Sequence, residues 1–242
     1  MQRDTAQTAA SAGANEIRAS PGLPMSYDVK INSLRTGGST KGNATVTING
    51  QFAICRVNIR DGPHGLFVSM PRWRGADNEY HDICFPCTKE SHAEFGKAVL
   101  EAFEQARIKG VCGQEQALTE TLPLHYNVRI LSLRTGNGTV KGTASVSLNN
   151  QFAISKVSIM EGSRRLFVST PGFRGGNGMF RDYCYPCTKE SRAEFNKAVI
   201  DAYKQALSQK QSASESQAHN QQAEAHTPFE YGAHLNAPAM QM

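Results

Sequence analysis

No stretch of this sequence comes near the roughly 20 consecutive apolar residues that a membrane-spanning helix needs, so no membrane partner is expected. The first twenty residues, MQRDTAQTAASAGANEIRAS, lack the apolar centre of a secretory signal, and the sequence predicts a cytoplasmic protein. Six cysteines in a chain without an export signal are expected to stay mostly reduced. Catalytic groupings are equally scarce. No Ser/His/Asp set recurs along the chain, no glycine loop is built to cradle phosphate, and no carboxylates pair in an apolar setting. His64, His81 and His92 each give way to arginine a hundred residues later. The sequence therefore predicts no enzymatic activity and no cofactor.

What it has is a repeat. Residues 51–105 and 151–205 align without a gap, and 30 of those 55 positions are identical. QFAI, LFVS and CFPCTKES return as QFAI, LFVS and CYPCTKES, and upstream YDVKINSLRTGG matches YNVRILSLRTGN with a one-residue slip. Two copies are too few for a solenoid, and two-fold pairing is the commonest symmetry of soluble oligomers. The copies are expected to pack as a pseudo-dimer within one chain, and further homo-oligomerisation is left open. The domains would be 25–106 and 125–207, with 107–124 as linker. The stretches 1–24 and 208–242, rich in Ala, Gln, Ser and Asn, are expected to be disordered tails. Charge separates the copies. Residues 25–106 hold nine Lys/Arg against nine Asp/Glu, whereas 125–206 hold twelve against five, net +7.

Within each copy the apolar period is two before it is 3.6. Tyr27, Val29 and Ile31 alternate with polar residues, as do Ala44, Val46 and Ile48, and Asn49-Gly50 then leads to Phe52, Ile54, Val57 and Ile59. An Asn-Gly pair between alternating runs predicts a tight hairpin, and Asn149-Asn150 is the compatible turn of the second copy. Short strands are expected at 66–68 and 80–85. Phe95, Ala98, Val99, Ala102, Phe103 and Ala106 then fall on one helical face, started by a capping-box spacing at Ser91 and Glu94 and again at Ser191 and Glu194. The fold class is α+β: two tandem antiparallel sheets, each closed by a C-terminal amphipathic helix.

The ordered string Asn49 to Phe52, Asp61-Gly62, Gly65-Leu66-Phe67-Val68, Met70-Pro71, Glu79-Tyr80, Asp82, Pro86 and Ala98-Val99-Leu100-Glu101-Ala102-Phe103 resembles the stage V sporulation protein G (SpoVG, septation protein) family. The second copy keeps Glu161-Gly162, Leu166-Phe167-Val168, Pro171, Phe180-Arg181-Asp182 and Pro186. The resemblance implies a small bacterial regulator that dimerises, binds DNA or RNA, and has no enzymatic activity. The chain departs from the family pattern in carrying two copies and in its CxxC pairs.

Arg72, Trp73 and Arg74 in the first copy, and Phe173 and Arg174 in the second, join phosphate-binding guanidinium to rings on which a base can stack. Arg181, Lys189, Arg192 and Lys197 add basic residues around the second helix. The competing reading of each is a solvated loop or helix face. Cys84, Cys87, Cys184 and Cys187 could form a Cys₄ zinc site only if a two-fold brings them together; otherwise they are redox-active or simply small buried side chains. Three functions follow: a nucleic-acid-binding regulator, a protein-interaction module in septum formation, or a metal- or redox-responsive protein.

Overall fold

The computed structural model describes residues 23–110, 112–113, 122–134, 136–176 and 178–224, with side chains to residue 212. Residues 1–22, 114–121 and 225–242, to which much of the expected tails and linker belong, lie outside the described residues. The first copy runs β1 (Tyr27–Leu34), β2 (Thr40–Ile48), β3 (Phe52–Gly62), β4 (Gly65–Ser69), β5 (Arg72–Arg74), β6 (Tyr80–Asp82), β7 (Cys84–Pro86) and α1 (Lys89–Lys109). The second repeats it as β8 (Tyr126–Leu133), β9 (Val140–Leu148), β10 (Phe152–Glu161), β11 (Leu166–Ser169), β12 (Gly172–Arg174), β13 (Phe180–Asp182), β14 (Cys184–Pro186) and α2 (Lys189–Glu224).

The period-two residues form an antiparallel meander in each copy. Val46 and Ile48 of β2, opposite Ile54 and Phe52 of β3, are fully buried, and α1 covers that face with Phe95, Val99 and Phe103. Asn49 and Gly50 take the expected positive φ, 51° and 66°, and Asn149 and Asn150 take 49° and 58°. Asn49 is also wholly buried: its Oδ1 accepts from the Ser26 N–H at 2.7 Å, and its Nδ2 donates to the Pro123 carbonyl at 3.2 Å.

The segment read as one strand at 80–85 divides in two, and its second part leaves home. β7 pairs with β10 of the other copy, Phe152 opposite Pro86 and Ile154 opposite Cys84. β14 returns the exchange on β3, with Phe52 opposite Pro186 and Ile54 opposite Cys184. A reciprocal contact of this kind is what a two-fold relation generates. Aromatic rings continue it: Phe95 lies 5.7 Å from Phe152, and Phe195 lies 5.6 Å from Phe52. A single apolar cluster therefore holds core residues of both copies.

Two local expectations change. The residue that caps α1 is Thr88, whose hydroxyl accepts from the Ser91 N–H at 3.0 Å; Ser91 is the third helical residue and Glu94 has no part in the box. Ser91 is buried, and its hydroxyl also reaches the Gln151 carbonyl of the other copy at 3.0 Å. The second change is that α2 continues past residue 207 to Glu224. Gly110, at φ 65°, ends α1, but residues 201–224 hold neither glycine nor proline, and their Ala, Gln, Glu and Lys are good helix formers.

Candidate nucleic-acid interface

Both β3 and β10 bulge where they receive the foreign strand. Val46 faces Ile54 and Ala44 faces Val57, so Cys55 and Arg56 together oppose Thr45. The Cys55 N–H is turned outward to the Tyr183 carbonyl, 2.7 Å away, and the Ser155 N–H meets the Ile83 carbonyl in the same way. Arg56 and Lys156 complete the bulges at φ 60° and 58°. That left-handed turn aims each cation at the hairpin arm of the other copy. The Arg56 guanidinium lies 4.6 Å from the Phe173 ring centre, and the Lys156 ammonium lies 2.8 Å from that of Trp73. Desolvation lowers the pKa of Lys156.

These contacts change what the two rings offer. Trp73 is half-buried between Lys156 and His81, whose ring centre is 5.1 Å away; Phe173 sits between Arg56 and Tyr183 at 4.7 Å. Both are fasteners between copies. The exposed aromatic at the second arm is Phe180, 72% accessible, with Arg174 at 5.4 Å from its centre. Its counterpart Tyr80 is 67% accessible.

Between the first copy's sheet and the second copy's arm lies an open groove of about 1270 Å³. Arg35 and Arg56 line it from the sheet, Arg181 from the arm and Arg192 from α2, with Asp182 the single carboxylate among its lining residues. Phe180 stands on its wall. Arg56 also lines an adjoining depression of about 340 Å³, with Arg60, Arg72 and Tyr80. Arg72 is held to Asp82 by a 2.7 Å ion pair.

The sequence-predicted residues thus fall into two groups. Arg181 and Arg192 meet in the groove, Phe173 forms part of its wall, and Arg72 lies in the adjoining depression. Lys197 instead pairs with Asp201 on its own helix at 2.8 Å, which raises the lysine's pKa and lowers that of the aspartate. Arg74 and Lys189 are exposed and line neither space. Sequence reasoning missed Arg35, Arg56, Arg60 and Phe180. Arg60 was legible as an outward residue of an alternating strand; Arg56 was not, because its direction depends on a bulge made for a strand from elsewhere.

The cysteines do not gather as four. Cys84 and Cys184 meet across the copies in the sealed core, where their mutual hydrogen bond and then burial hold the Cys184 thiol far above its usual range. Cys87 and Cys187 lie at the surface, and burial of their thiols raises both pKa values. Among the described residues, the one cluster of three potential ligands is Asp77, Glu79 and His81 on the first arm. There the Glu79 N–H and the His81 imidazole together lower the Asp77 pKa.

The SpoVG family model matches residues 25–105 and again 125–205, two thirds of the chain. This chain belongs to the SpoVG family. It carries the family unit twice. A relative in Listeria monocytogenes named septation protein SpoVG 1 is 39% identical over 79 residues, which are 33% of this chain and 78% of that protein. The Listeria monocytogenes septation protein SpoVG 2 is 32% identical over 94 residues, 39% of this chain and 86% of its own. The SpoVG septation protein of Symbiobacterium thermophilum is 43% identical over 77 residues, covering 32% and 54%. None of these names denotes an enzyme. Among the described residues, no helix is long and apolar enough to cross a membrane.

Proposed function

We propose that this SpoVG-family chain is a cytoplasmic regulator that binds DNA or RNA and acts in septation or sporulation control. The observation that carries the reading is the convergence of Arg35, Arg56, Arg181 and Arg192 on one open groove. Four guanidiniums around one carboxylate make a strongly positive concavity, and such a surface attracts and forks onto phosphate. The names of the relatives supply the process; the groove supplies the chemistry.

Fluorescence anisotropy of labelled DNA and RNA oligonucleotides at two salt concentrations tests it. Affinity should fall steeply with salt as counterions are displaced from the phosphates. Arg181→Ala should weaken binding on all sequences alike and reduce the salt slope by about one unit. Absence of salt-sensitive binding to any of the oligonucleotides would shift the proposal to a protein-interaction module in septum formation.

A further inference from the structure

The strand exchange builds two equivalent grooves, each from one copy's sheet and the other copy's arm. Their linings are unlike. Where the first groove has Arg56, Arg181 and Arg192, the corresponding positions of the other hold Lys156, His81 and His92. Asn32, Asn43 and Asn58 of the first correspond to Leu131, Thr143 and Ser158. The adjoining arginines are also lost, Arg60 to Met160 and Arg72 to Gly172. Leu131 is 54% accessible, so the second surface presents an aliphatic side chain where the first presents an amide. The depression that Trp73 and Lys156 line there is smaller, about 500 Å³.

Resting on the reading above, we propose that the chain holds one nucleic-acid site: the groove between the first sheet and the second arm, which takes a single unpaired strand. Its phosphates lie on Arg35, Arg56, Arg181 and Arg192, and a base stacks on Phe180. Three features select a strand over a duplex. The arginines come from floor, wall and helix and so surround a narrow polyanion instead of lining one side of a wide one. Phe180 is exposed beside them, and a ring can stack only on a base freed from its neighbours. Asn58 on the floor brings an amide group that can pair with open base edges, which a duplex keeps engaged. The mirror groove keeps the architecture and two cations, Arg134 in place of Arg35 and Lys156 in place of Arg56, but has lost the arginines of arm and helix to histidines. A homodimer of single-copy chains would have two identical grooves; fusing the copies freed one from matching the other.

The test uses the full chain with fluorescein-labelled oligo-dT and oligo-U strands and a mixed-sequence duplex of equal length, reading anisotropy and the strands bound per chain. One strand per chain is expected, bound more tightly than the duplex at equal salt. The double variant Arg181→His and Arg192→His installs the mirror groove's own residues, which this fold already accommodates, and should weaken binding about tenfold or more. Arg134→Ala with His92→Ala, both exposed at the mirror groove, should leave affinity within about twofold. Phe180→Ala should weaken strand binding without changing the salt slope, as loss of a stacking face does. Two strands per chain, equal losses from both grooves, or tighter binding of the duplex would overturn the single-site proposal while leaving nucleic-acid binding intact. No binding of any probe would overturn the functional reading itself, and this proposal with it.

Discussion

Arg56 and Lys156 hold a backbone conformation that costs a side-chain-bearing residue about 1 kcal/mol or more, offset here by contact with the opposing ring. Each therefore fastens the copies together, and Arg56 also offers charge to the groove. Tyr27 and Tyr126 occupy a different kind of position. Their hydroxyls are buried without a hydrogen-bond partner among the described residues, and burial first, then Glu94 or Glu194, pushes both pKa values up to about 12. The folded protein holds these protons more tightly than the unfolded chain does. Their contribution to stability is fully present below about pH 10 and is lost as pH rises through about 12. A spectrophotometric titration should find these two among the last tyrosines to ionise. Tyr27→Phe and Tyr126→Phe remove an unpaired polar atom and should leave neutral-pH stability unchanged or higher by up to about 1 kcal/mol in denaturant melts.

The element most completely written into the sequence is the β2–β3 hairpin, because its turn is fixed by neighbours in the chain and its strands by an alternation that slips only once, between Ile54 and Val57 at the bulge. The helix face was legible for the same reason. Its start was not: Thr88 and Ser191's counterpart Ser91 compete for the cap, and the burial of Ser91 against Gln151 decides for Thr88. A further element-scale constraint lies at Gly42. A Cβ there would come within 2.7 Å of the Ser33 carbonyl oxygen and 2.9 Å of the Phe103 ring, so the absence of a side chain lets α1 lie close on the sheet. The Ser33 backbone cannot step aside as a flexible side chain would. Gly42→Ala should cost about 1–3 kcal/mol by denaturant unfolding, whereas Gly37→Ala, which meets nothing within 4 Å, should be close to neutral.

At the scale of the whole molecule, the repeat made two copies evident, yet the partnership of β7 with β10 and β14 with β3 was beyond reach. Alternation says that a segment is a strand and is silent on whose sheet it joins. The same gap explains the site: charge summed along each copy gave zero against +7, but the groove takes arginines from both. Separate expression offers a direct check. Residues 1–110 alone have no β14 for β3, and residues 115–242 alone have no β7 for β10. Each half should unfold or associate with itself, read by sedimentation velocity; two stable monomers that ignore each other would contradict the exchange. A last consequence concerns the order of synthesis. During translation the N-terminal copy is made first and finished last, since the edge of β3 waits for Cys184–Pro186 to be made, while β7 waits for β10. Folding cannot advance from one end of the chain to the other. Through that interval an apolar-backed strand edge stands open on the nascent chain, a template for mispairing, and the ribosome-bound intermediate is the state in which this protein is most exposed to aggregation.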